Sequence, residues 1–381
     1  MNQLISHIAN PQLKTIAEKF ITGVRITPEE GLALYESADL SMLSLLAVAV
    51  KKRLSGNNVF FNHNFHIEPT NKCVYNCKFC SYHKSENDPE SWDYSHEEII
   101  DVVKRFDDKP VTEVHIVGGA HPDQDVWYWG SLIKKIKKHR PEIHIKAFSV
   151  VEIDYMTKKA GLTIENGLKI LKDSGLNSIP GGGAEIFDEE LRKEICGEKP
   201  DAEQWLLVHE TAHKLGIKSN ATMLYGHLET YTHRIDHLDR LRKLQDRSNG
   251  FNCFIPLKFK KANNKMSALG EVGIIEDLKN YAVSRLFLDN FPHIKAYWPM
   301  IGKEAAQLAL LFGVDDMDGT IDNTTKIYSM AGADEKNPSM TTEQLSNLIV
   351  QAGYKPVERD SNYNYFQLRK GALRLFLVES F

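Results

Sequence analysis

Asn71-Lys-Cys-Val-Tyr-Asn-Cys-Lys-Phe-Cys-Ser81 holds three of the chain's five cysteines, Cys73, Cys77 and Cys80, at the spacing C-x3-C-x2-C. Thiolates this close in sequence can converge on one inorganic centre. Three are too few to close a tetrahedral zinc site without a ligand from elsewhere. They suit a cubane iron–sulfur cluster that leaves one iron open to a non-protein ligand, although most such clusters take four cysteines. Spacing alone leaves three readings: the open cluster, a zinc knuckle completed by His63, His66 or His83, and an electron-transfer cluster completed by Cys196 or Cys253. Those last two cysteines read better as ordinary buried thiols than as cluster ligands.

The flanks of this loop set the fold. Upstream, from Val59, Phe61, Phe65 and Ile67 alternate with polar residues, which predicts one strand running directly into the cysteines. Downstream, a helix from Ser95 precedes a buried strand, Thr112–Val117, that ends in Gly118-Gly119. Further strands are expected at His144–Ser149, Ser178-Ile179 (followed by Gly181-Gly182-Gly183), Ser219–Leu224, Phe251–Leu257 and Ile294–Trp298, each preceded by a helical pattern. Strands alternating with helices of about 10 to 15 residues make βα units around a parallel sheet. The count is about six units and an extra strand, an α/β barrel, complete or open. Chemistry in such barrels sits at the C-terminal ends of the strands. The cysteine loop and both glycine turns fall there.

Residues 1–58 are expected to form an N-terminal helical layer, 59–300 the barrel, and 301–381 a C-terminal α/β extension packed on it. Thr27-Pro28 reads as a helix start, and Thr341 with Gln344 as a capping box. The tail after 353 reads as a strand or two. Asp316-Met-Asp-Gly-Thr320 lacks the order and the final Glu of a calcium loop and reads as a turn. The Gly181–Gly183 run is not a dinucleotide fingerprint.

Composition narrows the class. The chain has 381 residues, 42% hydrophobic, with a net charge of -4 and a pI near 6.4. That balance carries no nucleic-acid footprint and no attraction to an anionic membrane. No apolar run reaches the roughly 18 residues of a membrane span, and the first residues lack a signal-peptide pattern. An odd, clustered set of cysteines points to a reducing cytoplasm.

The C-x3-C-x2-C loop, with Phe79 before its last cysteine, a strand before it and βα units after it, resembles the radical S-adenosylmethionine superfamily. The resemblance implies a partial (β/α)6 barrel. It implies that Cys73, Cys77 and Cys80 bind a [4Fe-4S] cluster whose open iron takes S-adenosylmethionine, and that a low-potential donor such as flavodoxin or ferredoxin supplies the electron. Gly118-Gly119 is similar to the motif that meets the methionine amino group, although Ala120-His121-Pro122 follows where an acidic residue is frequent. Further segments resemble the menaquinone (futalosine) pathway group, itself similar to the deazaflavin synthases of coenzyme F420. They are Glu68–Cys73, Glu113–Gly119, His144–Phe148, Pro180–Phe187, Asn220–Thr230 and Leu288–Trp298. Together the resemblance spans about residues 55–335. Phe187-Asp188, Tyr225–Thr230, His293–Trp298 and Asp316–Thr320 look more like the member that adds the 5′-deoxyadenosyl radical to 3-[(1-carboxyvinyl)oxy]benzoate than the member that cyclises dehypoxanthine futalosine.

A substrate with two carboxylates needs cationic or amide donors. Candidates near strand ends are His66, His115, His121, Lys146, Asn220, His227, Arg285, His293 and Lys295. Excluding water from a radical calls for aromatic walls, offered by Tyr82, Phe148, Tyr225, Tyr297 and Trp298. Adenosine hydroxyls need acceptors. The resulting expectation makes Glu68, His227 and Glu185 catalytic. Gly118, Gly119, Phe79, Glu152 and Glu185 are expected to hold the cofactor, and Asn220, Tyr225, Arg285, Tyr297 and Trp298 to line the substrate pocket.

Overall fold

The computed structural model describes residues 5–364. Three helices come first: α1 (Pro11–Thr22), α2 (Pro28–Ser37) and α3 (Leu40–Ser55). Each begins on a side chain that accepts otherwise free N–H groups, from Asn10, Thr27 and Asp39 respectively.

The stretch from Val59 to Ile67 is two strands and not the single one expected. β1 (Asn58–Asn62) and β2 (Asn64–Ile67) part at His63 and join different sheets. Phe61 and Phe65 keep the same parity across the break, so the alternation could not reveal it. Both strands are covered on both faces, and β2 is buried throughout.

The main sheet holds seven strands in chain order: β2, β3 (Glu113–Ile116), β4 (His144–Ala147), β5 (Ser178–Ile179), β6 (Lys218–Tyr225), β7 (Phe251–Lys258) and β8 (His293–Ile294). Every neighbouring pair is parallel. Parallel neighbours require a crossover, and helices supply it. They are α4 (His96–Lys104), α5 (Val126–His139), α6 (Val150–Lys159), α7 (Ile164–Ser174), α8 (Glu189–Cys196), α9 (Ala202–Lys214), α10 (Tyr231–Ser248) and α11 (Ile274–Phe287). The N-terminal helices rest on this outer layer, α2 against α10 and α11, and α3 against α11.

After α12 (Trp298–Ile301) and α13 (Lys303–Ala309), β9 (Asp316–Gly319) pairs with β1, and β1 pairs with β10 (Lys355–Glu358) in a small parallel sheet. The chain from β9 onward fills the seam between β8 and β2. Ala296 N–H donates to the Asp316 carbonyl (2.9 Å) and Trp298 Nε1 to the Gly319 carbonyl (2.9 Å). On the other side Thr320 Oγ1 donates to the Asn64 carbonyl (2.7 Å), and His66 N–H donates to Thr324 Oγ1 (2.6 Å). Asp318, Ile321, Asp322 and Asn323 all have φ between 53° and 62°. Left-handed backbone in a β-branched residue such as Ile321 is held only where its surroundings impose it. Here Asn64 Oδ1 accepts the Ile321 N–H at 3.1 Å. α14 (Ile327–Met330) follows, and α15 (Thr342–Gln351) starts on the Thr341–Gln344 capping box that the sequence predicts. Any strand in the tail after β10 that falls beyond residue 364 lies outside the described residues. Among the described residues, no helix is long and apolar enough to cross a membrane.

Candidate active site

β2 ends at Ile67, and the next residues form the cysteine loop. Its backbone is tied to three neighbours: Val74 N–H donates to the Ala120 carbonyl (3.0 Å), Lys78 N–H to the Ile195 carbonyl (2.8 Å), and Lys265 N–H to the Lys78 carbonyl (2.9 Å). Cys73, Cys77 and Cys80 all line one cavity of about 100 Å³, with Tyr82, Gly118, Gly119, Ala120, Glu152 and Lys199. Among the described residues no three His, Cys, Asp or Glu side chains stand close enough to share a single metal ion. All five cysteines are free thiols.

The donors around the sulfurs suit thiolates. Ala120 N–H points at Cys73 Sγ and His83 N–H at Cys80 Sγ, both at 3.3 Å. Burial pushes the Cys73 thiol up and the Cys77 thiol up to about 12, the latter against the pull of Lys199. A positive centre bound between the sulfurs would reverse that order, as metal ions do for thiols generally. The cavity wall, the N–H donors and the three thiols therefore fit an iron–sulfur cluster.

Gly118 and Gly119 make the loop's close approach possible. A Cβ on Gly119 would overlap the Lys72 carbonyl oxygen and sit 2.9 Å from Cys73 Cβ; one on Gly118 would sit 2.7 Å from the Thr70 oxygen. Gly119 N–H donates to the Thr70 carbonyl (2.9 Å) and Gly118 N–H to Glu152 Oε1 (3.0 Å). Both amides are thus engaged within the protein. Glu152 also accepts from Ser149 N–H and Oγ (2.7 and 2.6 Å), and burial raises it to about 7 against these donors.

A larger cavity of about 300 Å³ adjoins the cysteine cavity and runs into the barrel. The two share Cys80, Tyr82, Gly118, Ser149, Glu152, Gly183 and Lys199 as walls. Lys199 stands at the junction. Its Nζ bonds Glu185 Oε1 at 2.7 Å and lies 5.1 Å from the Phe79 ring centre. Burial works against its charge, but Cys77, Glu185 and Cys196 outweigh burial and hold the ammonium above its ordinary range. Glu185 sits at φ 49°, a left-handed non-glycine beside the glycine run. Its carbonyl accepts Leu224 N–H at 2.7 Å, so β6 locks it. Farther in, the walls are His66, His115, Lys146, Asn220, Thr222, Leu224, Ile255, Leu257, Lys295, Tyr297, Asp318 and Tyr328.

The sequence expectations divide. Phe79, Cys80, Gly118, Glu152, Glu185, Asn220 and Tyr297 line the larger cavity, and Cys73, Cys77 and Gly119 line the smaller one. Five of the residues given site roles, Glu68, Tyr225, His227, Arg285 and Trp298, lie on neither wall. Tyr225 follows the inward-facing Leu224 and so points outward, where its hydroxyl meets Asp277 Oδ1 at 2.8 Å. His227 turns its Nε2 back to the Leu224 carbonyl (3.1 Å). Trp298 packs under the seam. Arg285 lies on the outer helix α11, fully buried, paired with Asp315 at 2.6 Å. Glu68 faces a separate cavity of about 270 Å³ beside β2. Its carboxylate accepts from Thr325 Oγ1 and from the N–H groups of Lys326 and Ile327, and burial raises it to about 7. It anchors the seam segment. Lys199 and Asp318 were not among the expected site residues. Lys199 carried no signal beyond its place near Cys196. Asp318 stood in a segment that reads as a turn.

A parallel half-barrel whose first strand delivers three cysteines to the mouth of an inner chamber defines the radical S-adenosylmethionine class of enzyme. Residues 67–241 match the model of the radical SAM superfamily. Residues 248–372 match the CofH/MqnC C-terminal region, so the chain belongs to the superfamily and to its branch with that region. An aminodeoxyfutalosine synthase of Thermus thermophilus is 42% identical, over 93% of this chain and 96% of its own length. A 5-amino-6-(D-ribitylamino)uracil–L-tyrosine 4-hydroxyphenyl transferase of Methanocaldococcus jannaschii is 37% identical, over 90% and 97%. A crystal structure of methylornithine synthase matches the fold with a TM-score of 0.72, at 17% identity, over 90% of this chain and 97% of that one.

Proposed function

We propose that the chain is an aminodeoxyfutalosine synthase of menaquinone biosynthesis. Cys73, Cys77 and Cys80 would hold a [4Fe-4S] cluster, and Gly118, Glu152, Glu185 and Lys199 border the place for S-adenosylmethionine. With both bound and an electron from a donor such as flavodoxin or ferredoxin, the site is supplied with a 5′-deoxyadenosyl radical that adds to the enol-ether double bond of 3-[(1-carboxyvinyl)oxy]benzoate. The adduct radical rearranges onto the aromatic ring, the enol-ether carboxylate leaves as bicarbonate with uptake of water, and one electron passes back to an acceptor, which gives closed-shell 6-amino-6-deoxyfutalosine alongside the methionine released from S-adenosylmethionine. S-adenosylmethionine is then consumed as a substrate.

The observation that carries this reading is the shared wall. The cysteine cavity shares its wall with a barrel chamber of about 300 Å³, room for a second substrate, and among the described residues no fourth cysteine lines either cavity. The protein's own residues do three things. Lys199 and Glu185 fix charge at the junction. Leu224, Ile255, Leu257, Tyr297 and Tyr328 give the chamber a largely apolar middle that keeps water from a radical. The seam segment closes the barrel where β8 and β2 would otherwise gape. Free thiols and the lack of a disulfide framework support a reducing, cytoplasmic setting.

The test is anaerobic reconstitution with iron and sulfide, followed by S-adenosylmethionine, reductant and the enolpyruvyl benzoate. Formation of 6-amino-6-deoxyfutalosine supports the reading. Turnover only with L-tyrosine and the diaminouracil, or 5′-deoxyadenosine released only with dehypoxanthine futalosine, would replace it with the transferase or the cyclase.

A further inference from the structure

We propose that a polar row across the deep end of the barrel, His66, His115 and Lys146 with Lys295 beside them, binds the ring carboxylate of the benzoate substrate. The proposal rests on the synthase reading and assigns one of its two carboxylates.

Strand register makes the row. His66 on β2 pairs with His115 on β3, which pairs with Lys146 on β4. All three line the chamber, and Lys295, which follows β8, closes the row from the other flank. His115 lies three residues before Gly118. At about 3.3 Å per residue that places the row roughly 10 Å below the glycine turn at the cysteine cavity. The apolar middle lies between the two ends and suits an aromatic ring.

Two features show a place kept for a ligand. The Nε2 atoms of His66 and His115 are both buried without a hydrogen-bond partner. His66 is 3% exposed, and its ring stands 4.5 Å from that of His115. Buried polar atoms are nearly always paired, so two orphans side by side in a chamber mark a missing partner. The cations are also fixed in advance. Lys146 Nζ meets Glu113 Oε1 at 2.6 Å, and Ser361 Oγ holds the other Glu113 oxygen at 2.6 Å. An ammonium has three donors, so Lys146 keeps two for a ligand. Lys295 stands 3.4 Å from Asp318 and 3.8 Å from Asp316. Asp318 is itself held by Asn64 Nδ2 (3.3 Å) on left-handed backbone, which keeps its negative charge directed at Lys295.

The arrangement separates the two carboxylates by fate. The ring carboxylate stays in the product and is gripped at the deep end. The enol-ether carboxylate is lost, and with the ring so anchored it lies toward the glycine turn, beyond the reach of the row.

The experiment compares 3-[(1-carboxyvinyl)oxy]benzoate with its ring carboxamide, in which only the ring charge is removed. The reconstituted wild type is expected to prefer the acid by about 100-fold in kcat/KM, as a site built for a charged group rejects its neutral analogue. His66→Phe keeps ring volume and removes no charge. It should raise KM for the acid about tenfold through lost hydrogen bonding and leave KM for S-adenosylmethionine unchanged. Lys146→Met should abolish the acid preference. Calorimetric binding of 3-methoxybenzoate to each protein gives a readout free of turnover, and it should weaken in both variants. If Lys146→Met does not fold, His66→Phe with the binding measurement decides alone. Equal turnover of acid and amide by the wild type, or variants that keep the wild-type preference and affinity, overturns the assignment while the synthase reading stands. A wild type that turns over neither compound overturns the synthase reading first.

Discussion

Gly119→Ala should empty the cysteine site while leaving the fold standing. The added Cβ would overlap the Lys72 carbonyl oxygen, with the carbonyl carbon 2.7 Å away and Cys73 Cβ 2.9 Å away, against the 3.4 Å at which ordinary contact begins. The obstacle is backbone, which cannot rotate aside as a side chain can. Either Lys72 and Cys73 retreat or β3 does, and β3 is paired on both sides. The loop moves, at a cost of about 1–3 kcal/mol typical of overpacking. For a chain of this size that shifts Tm by only a few degrees. The first cysteine, however, is displaced by a large fraction of an ångström, enough to spoil a site held to tight geometry. Iron and sulfide per chain after anaerobic reconstitution, read with Tm and visible absorbance, give the measurement. Gly182→Ala is the control, since its Cβ would meet nothing closer than Ser149 Cβ at 3.5 Å. Full iron content and normal turnover in Gly119→Ala would refute the reasoning.

Three further outcomes follow from the same geometry. Arg285→Met strands Asp315 in the core beside His293 and Ser55 and should cost about 3–5 kcal/mol in denaturant unfolding, with kcat and KM of the folded fraction unchanged; an intact stability with a raised substrate KM would return Arg285 to the pocket. Lys199→Met should weaken S-adenosylmethionine binding by about tenfold, the loss of one charge-assisted contact, with iron content retained; unaltered affinity would remove Lys199 from the site. Burial lowers His66 to about 4 and His237 to about 3 from an ordinary 6.5, so both fold neutral and take up protons when unfolded. Their contribution is full above pH 6.5 and falls as pH drops toward 4, by about 1.4 kcal/mol per unit for each histidine; equal unfolding free energies at pH 7.5 and pH 5 would contradict this.

The sequence carried the parts of this site that depend on spacing. Cys73, Cys77 and Cys80 stand in a pattern with few chemical uses, and Gly118-Gly119 follows an apolar strand, so both could be placed at the barrel mouth without coordinates. Orientation was harder to read. Tyr225 and Leu224 are neighbours, and one residue of register decides which faces the chamber. Arg285 lies on a helix whose inner face could not be told from its composition. Glu68 stands next to the cysteine loop, yet the partner that turns its carboxylate away is the backbone of Lys326 and Ile327, more than 250 positions on. Long-range closure hid Asp318 for the same reason. Its turn-like sequence becomes a chamber wall only because β9 pairs with β1, and β1 was not visible as a strand of its own.

In the proposed reaction the radical formed at this site ends up in the product. S-adenosylmethionine labelled with carbon-13 at the ribose 5′ carbon, under anaerobic single turnover with 3-[(1-carboxyvinyl)oxy]benzoate, follows that carbon to its end. The label should appear in 6-amino-6-deoxyfutalosine, with one methionine released per product and little 5′-deoxyadenosine. Label recovered only in 5′-deoxyadenosine, with the benzoate unchanged, would contradict it.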